Sequence, residues 1–206
     1  MPLSYPDVCS ALDMLADRCQ YVAQALQQVG YPPERVGKSD DMALVRIIVG
    51  QQLSTKAAAT INQRLSDLLG DGGYSNIPRF SDDELRAVGM SRPKIRYLRA
   101  LTDALLTGEL VLADFPSMDD ESVVKALTAL PGFGRWSAHM YLLFNLQRTD
   151  VWPTGDLAVR VGISRMVGAS GRLTEAELEQ WGERWRPHRS ALSLLAWHYY
   201  GATTDV

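Results

Sequence analysis

Cysteine and histidine are scarce in this chain, with two of the first and three of the second among 206 residues. Cys9 and Cys19 cannot supply a four-ligand cluster, and their spacing within a helical pattern fits neither a zinc clip nor a redox pair. His139, His188 and His198 are too scattered for a metal site, and each is read as a locally satisfied histidine. Long apolar runs are missing as well. No segment approaches the ~18 uninterrupted apolar residues that cross a bilayer, and no basic stretch followed by an apolar core opens the chain. The expected setting is cytoplasmic, nucleoid-associated if the source is bacterial, with no membrane partner.

Nor is there an excess of positive charge. The formal net charge is -3, so composition does not announce a nucleic-acid partner. A mildly acidic protein still binds DNA when its cations share one face. Two basic clusters stand out, SRPKIRYLR at 91–99 and ERWRPHR at 183–189. Each is read either as a solvated helix face or as a phosphate track. What is abundant is ordinary core material, 46% hydrophobic residues against 22% charged, enough for one large domain or two small ones.

The apolar periodicity is helical nearly throughout and no stretch alternates long enough to require a strand, so the expected fold is all-α. A first helix is expected through VCSALDMLADRCQYVAQALQQV, ending at Gly30 before Pro32 and Pro33. ALVRIIVGQQ and TKAAATINQRLSDLL follow, separated near Leu53 and Ser54 and closed by a flexible GDGG at 70–73. Ser81 with Glu84 and Thr174 with Glu177 have capping-box spacing, and Ser91 precedes a helix with Pro93 in its first turn. Later helices are expected over 120–129, 135–147, 156–168, 175–185 and 188–200. About ten short helices suggest a compact orthogonal assembly rather than a simple bundle. The GDGG loop and TGELVLADFPSMDD at 107–120 are the candidate boundaries.

Residues 130–144 read LPGFGRWSAHMYLLF, a tight turn driven into a helix. Pro131 starts the turn, Gly132 and Gly134 can take backbone angles closed to other residues, and Arg135 opens a helix whose first amides lack intrahelical partners. Such amides and the helix dipole attract anions, and glycine keeps side chains out of a phosphate's way. A plain αα-hairpin needing glycine only for sharpness is the other reading. Downstream, DVWPTGDLAVRVG places Asp156 at a helix start just after Pro153 and Gly155, either as a cap or as a carboxylate aimed into a cleft.

Taken together these stretches resemble the helix-hairpin-helix DNA glycosylases, specifically the 3-methyladenine DNA glycosylase II family of alkylation repair. IIVGQQLSTKAAATI, GMSRPKIRYLRAL, LPGFGRWSA, DVWPTGDLAVR and RWRPHRSALSLLAW all look like family blocks in the family's order. The resemblance covers nearly everything after residue 40, and the first helix matches only in type.

That resemblance implies two helical sub-domains with a cleft between them: an N-terminal helix over 1–38 packing with the C-terminal part, a sub-domain over 39–118 with a DNA wedge loop, and a sub-domain over 119–206 with the hairpin motif at 120–145. It implies that amides around Gly132, Phe133, Gly134 and Arg135 grip the DNA backbone, and that Asp156 is the catalytic carboxylate. Trp136, Trp197, Met140 and Tyr141 fall at base-pocket positions, and Gln52 and Leu53 at the wedge. Relatives often hold a sodium or potassium ion on hairpin carbonyls, here Thr128, Leu130 and Phe133. No cofactor is required, and the cysteine count excludes the iron-sulfur cluster of other branches.

The implied chemistry is consistent with these residues. Breaking an N-glycosidic bond builds positive charge on the sugar, which one carboxylate stabilises while directing a water. A cationic alkylated base is already a good leaving group, so a second acid is not needed. Indole faces would favour such a base by cation–π attraction of ~0.5–2 kcal/mol, and the target must first leave the duplex. Lyase-competent relatives carry a lysine where this chain has Trp136, so a monofunctional glycosylase leaving an abasic site is expected. The expected partners are duplex DNA with alkylated bases and the enzymes that process abasic sites downstream, and the chain is expected to be a monomer. Three departures stand out: the extra N-terminal α/β domain of the best-known bacterial members is not among these residues, Met140 stands where some relatives have tyrosine, and Gly155 replaces an acidic residue. The competing readings are a non-catalytic helix-hairpin-helix DNA-binding module and a glycosylase for oxidised or mismatched bases.

Overall fold

The computed structural model describes residues 3–35 and 40–204. Among them are eleven α-helices: α1 (Tyr5–Arg18), α2 (Gln20–Val29), α3 (Ala43–Gly50), α4 (Thr55–Leu69), α5 (Asp82–Ala87), α6 (Arg92–Thr107), α7 (Asp120–Thr128), α8 (Arg135–Phe144), α9 (Leu157–Met166), α10 (Glu175–Gly182) and α11 (Arg189–Ala202). Three 3-10 segments, Gly70–Arg79, Leu112–Ser117 and Glu183–Trp185, complete them, and no strand occurs among the described residues. The all-α expectation holds.

The caps are where the sequence puts them. Ser81 and Thr174 each accept from the backbone N–H three residues on, and Glu84 and Glu177 return the bond to the cap backbone. Ser91 caps α6 with Pro93 in the first turn. Each pair satisfies two amides that the helix start leaves orphaned.

The first helix is the main departure. Instead of one helix to Gly30, the chain breaks at Cys19, which is extended at φ -141°, ψ 104°. No glycine or proline marks the spot, because the cause is tertiary. Val8, Leu12 and Leu15 before the break and Val22 and Ala25 after it all bury into one core with Leu192 and Leu195 of α11. A straight helix of this length would extend about 37 Å and carry one of those faces past the core. GDGG also differs from an open loop, since its first residues begin a 3-10 segment that kinks at Gly73, φ +52° and ψ -136°.

The chain forms two compact units, Met1–Val36 with Leu142–Val206, and Gly37–Tyr141. The boundary expected at residues 38 and 39 lies outside the described residues. The stretch 107–120, expected to separate sub-domains, lies inside the second unit: Phe115 is buried there, with its ring edge-on to Tyr141 at 5.7 Å. The second division falls within α8 instead.

In the first unit, α9 and α11 cross at a glycine. A Cβ on Gly162 would stand 2.3 Å from the Ala196 carbonyl oxygen, so only glycine lets the two backbones meet this closely. The loop leading into α9 is anchored from below. Trp152 donates to the Leu178 carbonyl at 3.0 Å and packs edge-on to Trp185. Ser190 accepts from the Val151 amide and donates to the Arg148 carbonyl.

Candidate active site and nucleic-acid interface

Asp156 is the N-cap of α9. Its Oδ1 accepts from the Val159 amide at 2.9 Å and from the Trp197 indole N–H, also at 2.9 Å. The first bond is what any capping aspartate makes. The second comes from α11, forty-one residues away, and capping does not require it. Trp197 lies one residue after Ala196, where Gly162 admits the close crossing, so the glycine on α9 sets the reach of the indole to the carboxylate.

Trp197 is half-buried, and the Phe144 ring stacks on one of its faces with centroids 5.7 Å apart and planes 25° from parallel. Trp197, expected in the base pocket, is brought to Asp156, where it arrives as a hydrogen-bond donor as well as an aromatic surface. Trp136 is 39% exposed and belongs to the other unit. Met140 and Tyr141 are buried in that unit too. Burial pushes the Tyr141 phenol up, with Asp41 adding to it, and its ring is engaged by Phe115.

The hairpin joins α7 to α8. Gly132 has φ +84°, and a Cβ there would fall 2.2 Å from Cγ of Tyr97, so glycine is needed both for the angle and for the space. Gly134 is different. Its φ is not in the left-handed region and a Cβ would meet nothing within 4 Å, so neither backbone angle nor packing demands glycine there. The expectation of two glycines with forbidden angles is corrected to one. What Gly134 supplies is open space at the mouth of α8.

The Phe133 amide donates to the Leu130 carbonyl at 3.2 Å, closing the turn, and the Phe133 side chain is buried. That N–H is therefore used by the turn, and an incoming anion would meet the mouth of α8 from Gly134 onward. Arg135 pairs with Glu121 at 3.0 Å, an exposed pair that holds neither side chain firmly.

The loop between α3 and α4 carries the expected wedge. Gln52 adopts φ +56°, uncommon for a residue with a side chain, and Leu53 is 39% exposed. Gln51, which sequence reasoning passed over in favour of its neighbours, is partly buried and donates to the Gly132 carbonyl at 2.8 Å and the Ser137 hydroxyl at 3.3 Å. Lys94 donates to the Val49 carbonyl at 2.7 Å, and partial burial lowers the pKa of its ammonium.

The two basic clusters part company. In ERWRPHR, Arg189 is buried in a fork on Asp150, Arg186 pairs with Asp150 and Glu183, and Arg184 lies over Trp181 at 4.0 Å. Arg189 is thus taken into the first unit, while Arg184 and Arg186 stay exposed on its surface. In SRPKIRYLR, Arg99 is tied to Asp82 and the Phe80 carbonyl, while Arg92 and Arg96 are exposed. Among the described residues no group of three or more His, Cys, Asp or Glu could hold a metal, and no helix is long and apolar enough to cross a membrane.

Comparison with known proteins gives this geometry its context. A family model described as the HhH-GPD superfamily of base excision DNA repair proteins matches residues 45–187. The chain is 29% identical to DNA-3-methyladenine glycosylase 1 of Schizosaccharomyces pombe, over 75% of this chain and 69% of that protein. It is 30% identical to DNA-3-methyladenine glycosylase 2 of Escherichia coli, over 78% of this chain and 58% of that longer protein. Among solved structures, the S. pombe 3-methyladenine DNA glycosylase in complex with abasic DNA superposes with a TM-score of 0.83 at 27% identity, covering 96% of this chain and 98% of that one. DNA-3-methyladenine glycosidase from Bacillus halodurans gives 0.81 at 28% identity, covering 100% and 94%.

Proposed function

The chain belongs to the HhH-GPD superfamily of base excision DNA repair proteins, and from that membership we propose that it is a monofunctional DNA glycosylase that flips alkylated bases out of duplex DNA and hydrolyses their N-glycosidic bonds at Asp156. The observation that carries this reading is the carboxylate held by both a helix amide and the Trp197 indole. A cap needs one of those bonds. A group that must face a developing cation in a fixed place gains from two, because preorganised charge does not have to reorient as the reaction proceeds.

The flipped base would stack against the half-buried Trp197, where an electron-rich indole favours a cationic adduct. As the glycosidic bond breaks, its electron pair leaves with the base nitrogen and neutralises it. The positive charge passes to the sugar, opposite the Asp156 carboxylate, and water adds at the anomeric carbon and loses a proton to solvent, leaving the neutral abasic sugar. The open mouth of α8 at Gly134, with its first-turn amides, would receive the DNA phosphate. The Thr128, Leu130 and Phe133 carbonyls are hard oxygen donors that would suit a monovalent cation. Leu53 would fill the gap left by the flipped base.

Duplex DNA carrying alkylated bases, treated with alkali after incubation to cleave abasic sites, tests the proposal. The protein should release bases, Asp156→Asn should lose about 10²–10³-fold or more of the rate while still binding DNA, and borohydride should trap no covalent adduct. Full turnover by Asp156→Asn would remove the assigned role, and a trapped adduct would reveal an amine nucleophile.

A further inference from the structure

We propose that Gln51 is a positioning residue that locks the wedge loop to the hairpin, so that the phosphate held at the hairpin dictates which nucleotide Leu53 displaces. The inference rests on the preceding reading of the hairpin and of Leu53, and adds the link between them.

The link is a short chain of contacts within one unit. Gln51 caps the end of α3, immediately before the exposed pair Gln52 and Leu53. Its amide reaches across 81 residues to the Gly132 carbonyl and the Ser137 hydroxyl, the latter group in a residue only 3% exposed. Gly132 is itself immobilised from the other side, since the Tyr97 ring occupies the space where its Cβ would be. Three residues before Tyr97, on the same face of α6, Lys94 grips the Val49 carbonyl. One helix thus braces both the hairpin and the root of the wedge loop, and Gln51 closes the circuit.

Successive nucleotides of one strand are about 3.4 Å apart along the duplex axis. A loop free to slide by that distance relative to the phosphate site would address the neighbouring base. Two hydrogen bonds from one partly buried amide forbid such a slide, whereas the exposed loop by itself would not. The left-handed backbone at Gln52 follows the fixed point directly, so the strain at the tip is referred to the hairpin and not dispersed into α3.

The test uses the whole protein with duplexes holding a tetrahydrofuran abasic-site analogue and 2-aminopurine at either neighbouring base, whose fluorescence rises on unstacking. Fluorescence anisotropy gives affinity and thermal melting gives folding. The variants are Gln51→Met, which keeps the stem without the amide, Gln51→Glu, which keeps the length but has no donor for the carbonyl, and Leu53→Ala, alone and combined. Wild type should unstack one neighbour preferentially. The Gln51 variants should lose that preference by about threefold or more, the size expected of directly coupled neighbours, with affinity for undamaged duplex and melting temperature little changed. Leu53→Ala should matter in wild type and scarcely matter once Gln51 is replaced. Equal losses from Leu53→Ala in both backgrounds, or a uniform fall in affinity with the positional preference intact, would overturn the proposal, as would an early-melting Gln51→Glu that still shows the wild-type preference. Because unstacking is read without base release, an inactive protein that still shows the coupling would sink the glycosylase reading alone.

Discussion

At the scale of single residues, the bond between Trp197 and Asp156 separates two roles that an aromatic side chain can play. Stacking needs only the ring, but the bond needs the indole N–H. Trp197→Phe keeps a ring against Phe144 and removes the donor, and a hydrogen bond to a charged group contributes about 1.5–3 kcal/mol. Single-turnover base release should therefore fall about 10- to 100-fold with DNA affinity retained, and an unchanged rate would reduce Trp197 to a stacking surface. The hairpin glycines divide in the same way. Gly132→Ala puts a methyl into the Tyr97 ring at a left-handed position and should destabilise by about 1–3 kcal/mol, read as a lower melting temperature. Gly134→Leu should leave melting unchanged and weaken binding to all duplexes alike, since its place faces open space. A sequence-selective loss at Gly134 would contradict phosphate binding there. The sequence displayed both glycines and both aromatic and acidic partners, but it could not say which glycine is pressed by a neighbour, because Tyr97 and Gly132 are thirty-five residues apart.

Among the elements, the α9–α11 crossing is what brings carboxylate and indole together. Adding a methyl at Gly162 forces it against the Ala196 carbonyl, a backbone atom that cannot swing aside. Gly162→Ala should cost about 1–3 kcal/mol, and the displaced α11 should carry Trp197 away from Asp156. Melting and single-turnover rate should fall together. A stable variant with full activity would show that the helices separate without disturbing the site. The same block holds the Asp150 network, where Arg189 of the apparent basic track ERWRPHR turns inward and Arg186 pairs from the surface. Sequence marked those arginines as a cluster and left their direction open, since direction depends on Asp150 arriving from another loop.

For the whole molecule, helix caps set a common response to acid. Four carboxylates in both units are held below the usual carboxylate range: Asp7 and Glu84 mainly by the Ser4 and Ser81 hydroxyls, Asp119 by the Ser122 amide and Glu177 by the Thr174 amide. A folded-state value below the unfolded one contributes stability that is present above the unfolded value and lost as pH falls through the folded one. The melting temperature should hold from neutral to about pH 5 and drop below about pH 4. The double variant Ser4→Ala, Ser81→Ala should flatten that drop. A melting temperature that held or rose below about pH 4 would show that the caps do not govern the acid limb.

What the amino-acid order determined by itself was local or cumulative: helices from their apolar period, starts from Ser81, Ser91 and Thr174, the family from five blocks in order, and a single carboxylate placed at a helix start. Each of these is written within a few residues, where capping, turn chemistry and periodicity act. What only the tertiary structure decided was long-range: the break at Cys19, the inward turn of Arg189, the placing of 107–120 inside a unit, the donor role of Trp197 and the reach of Gln51 to Gly132. Those depend on which surfaces meet and on the excluded volume of partners dozens of residues away, and no local preference encodes that.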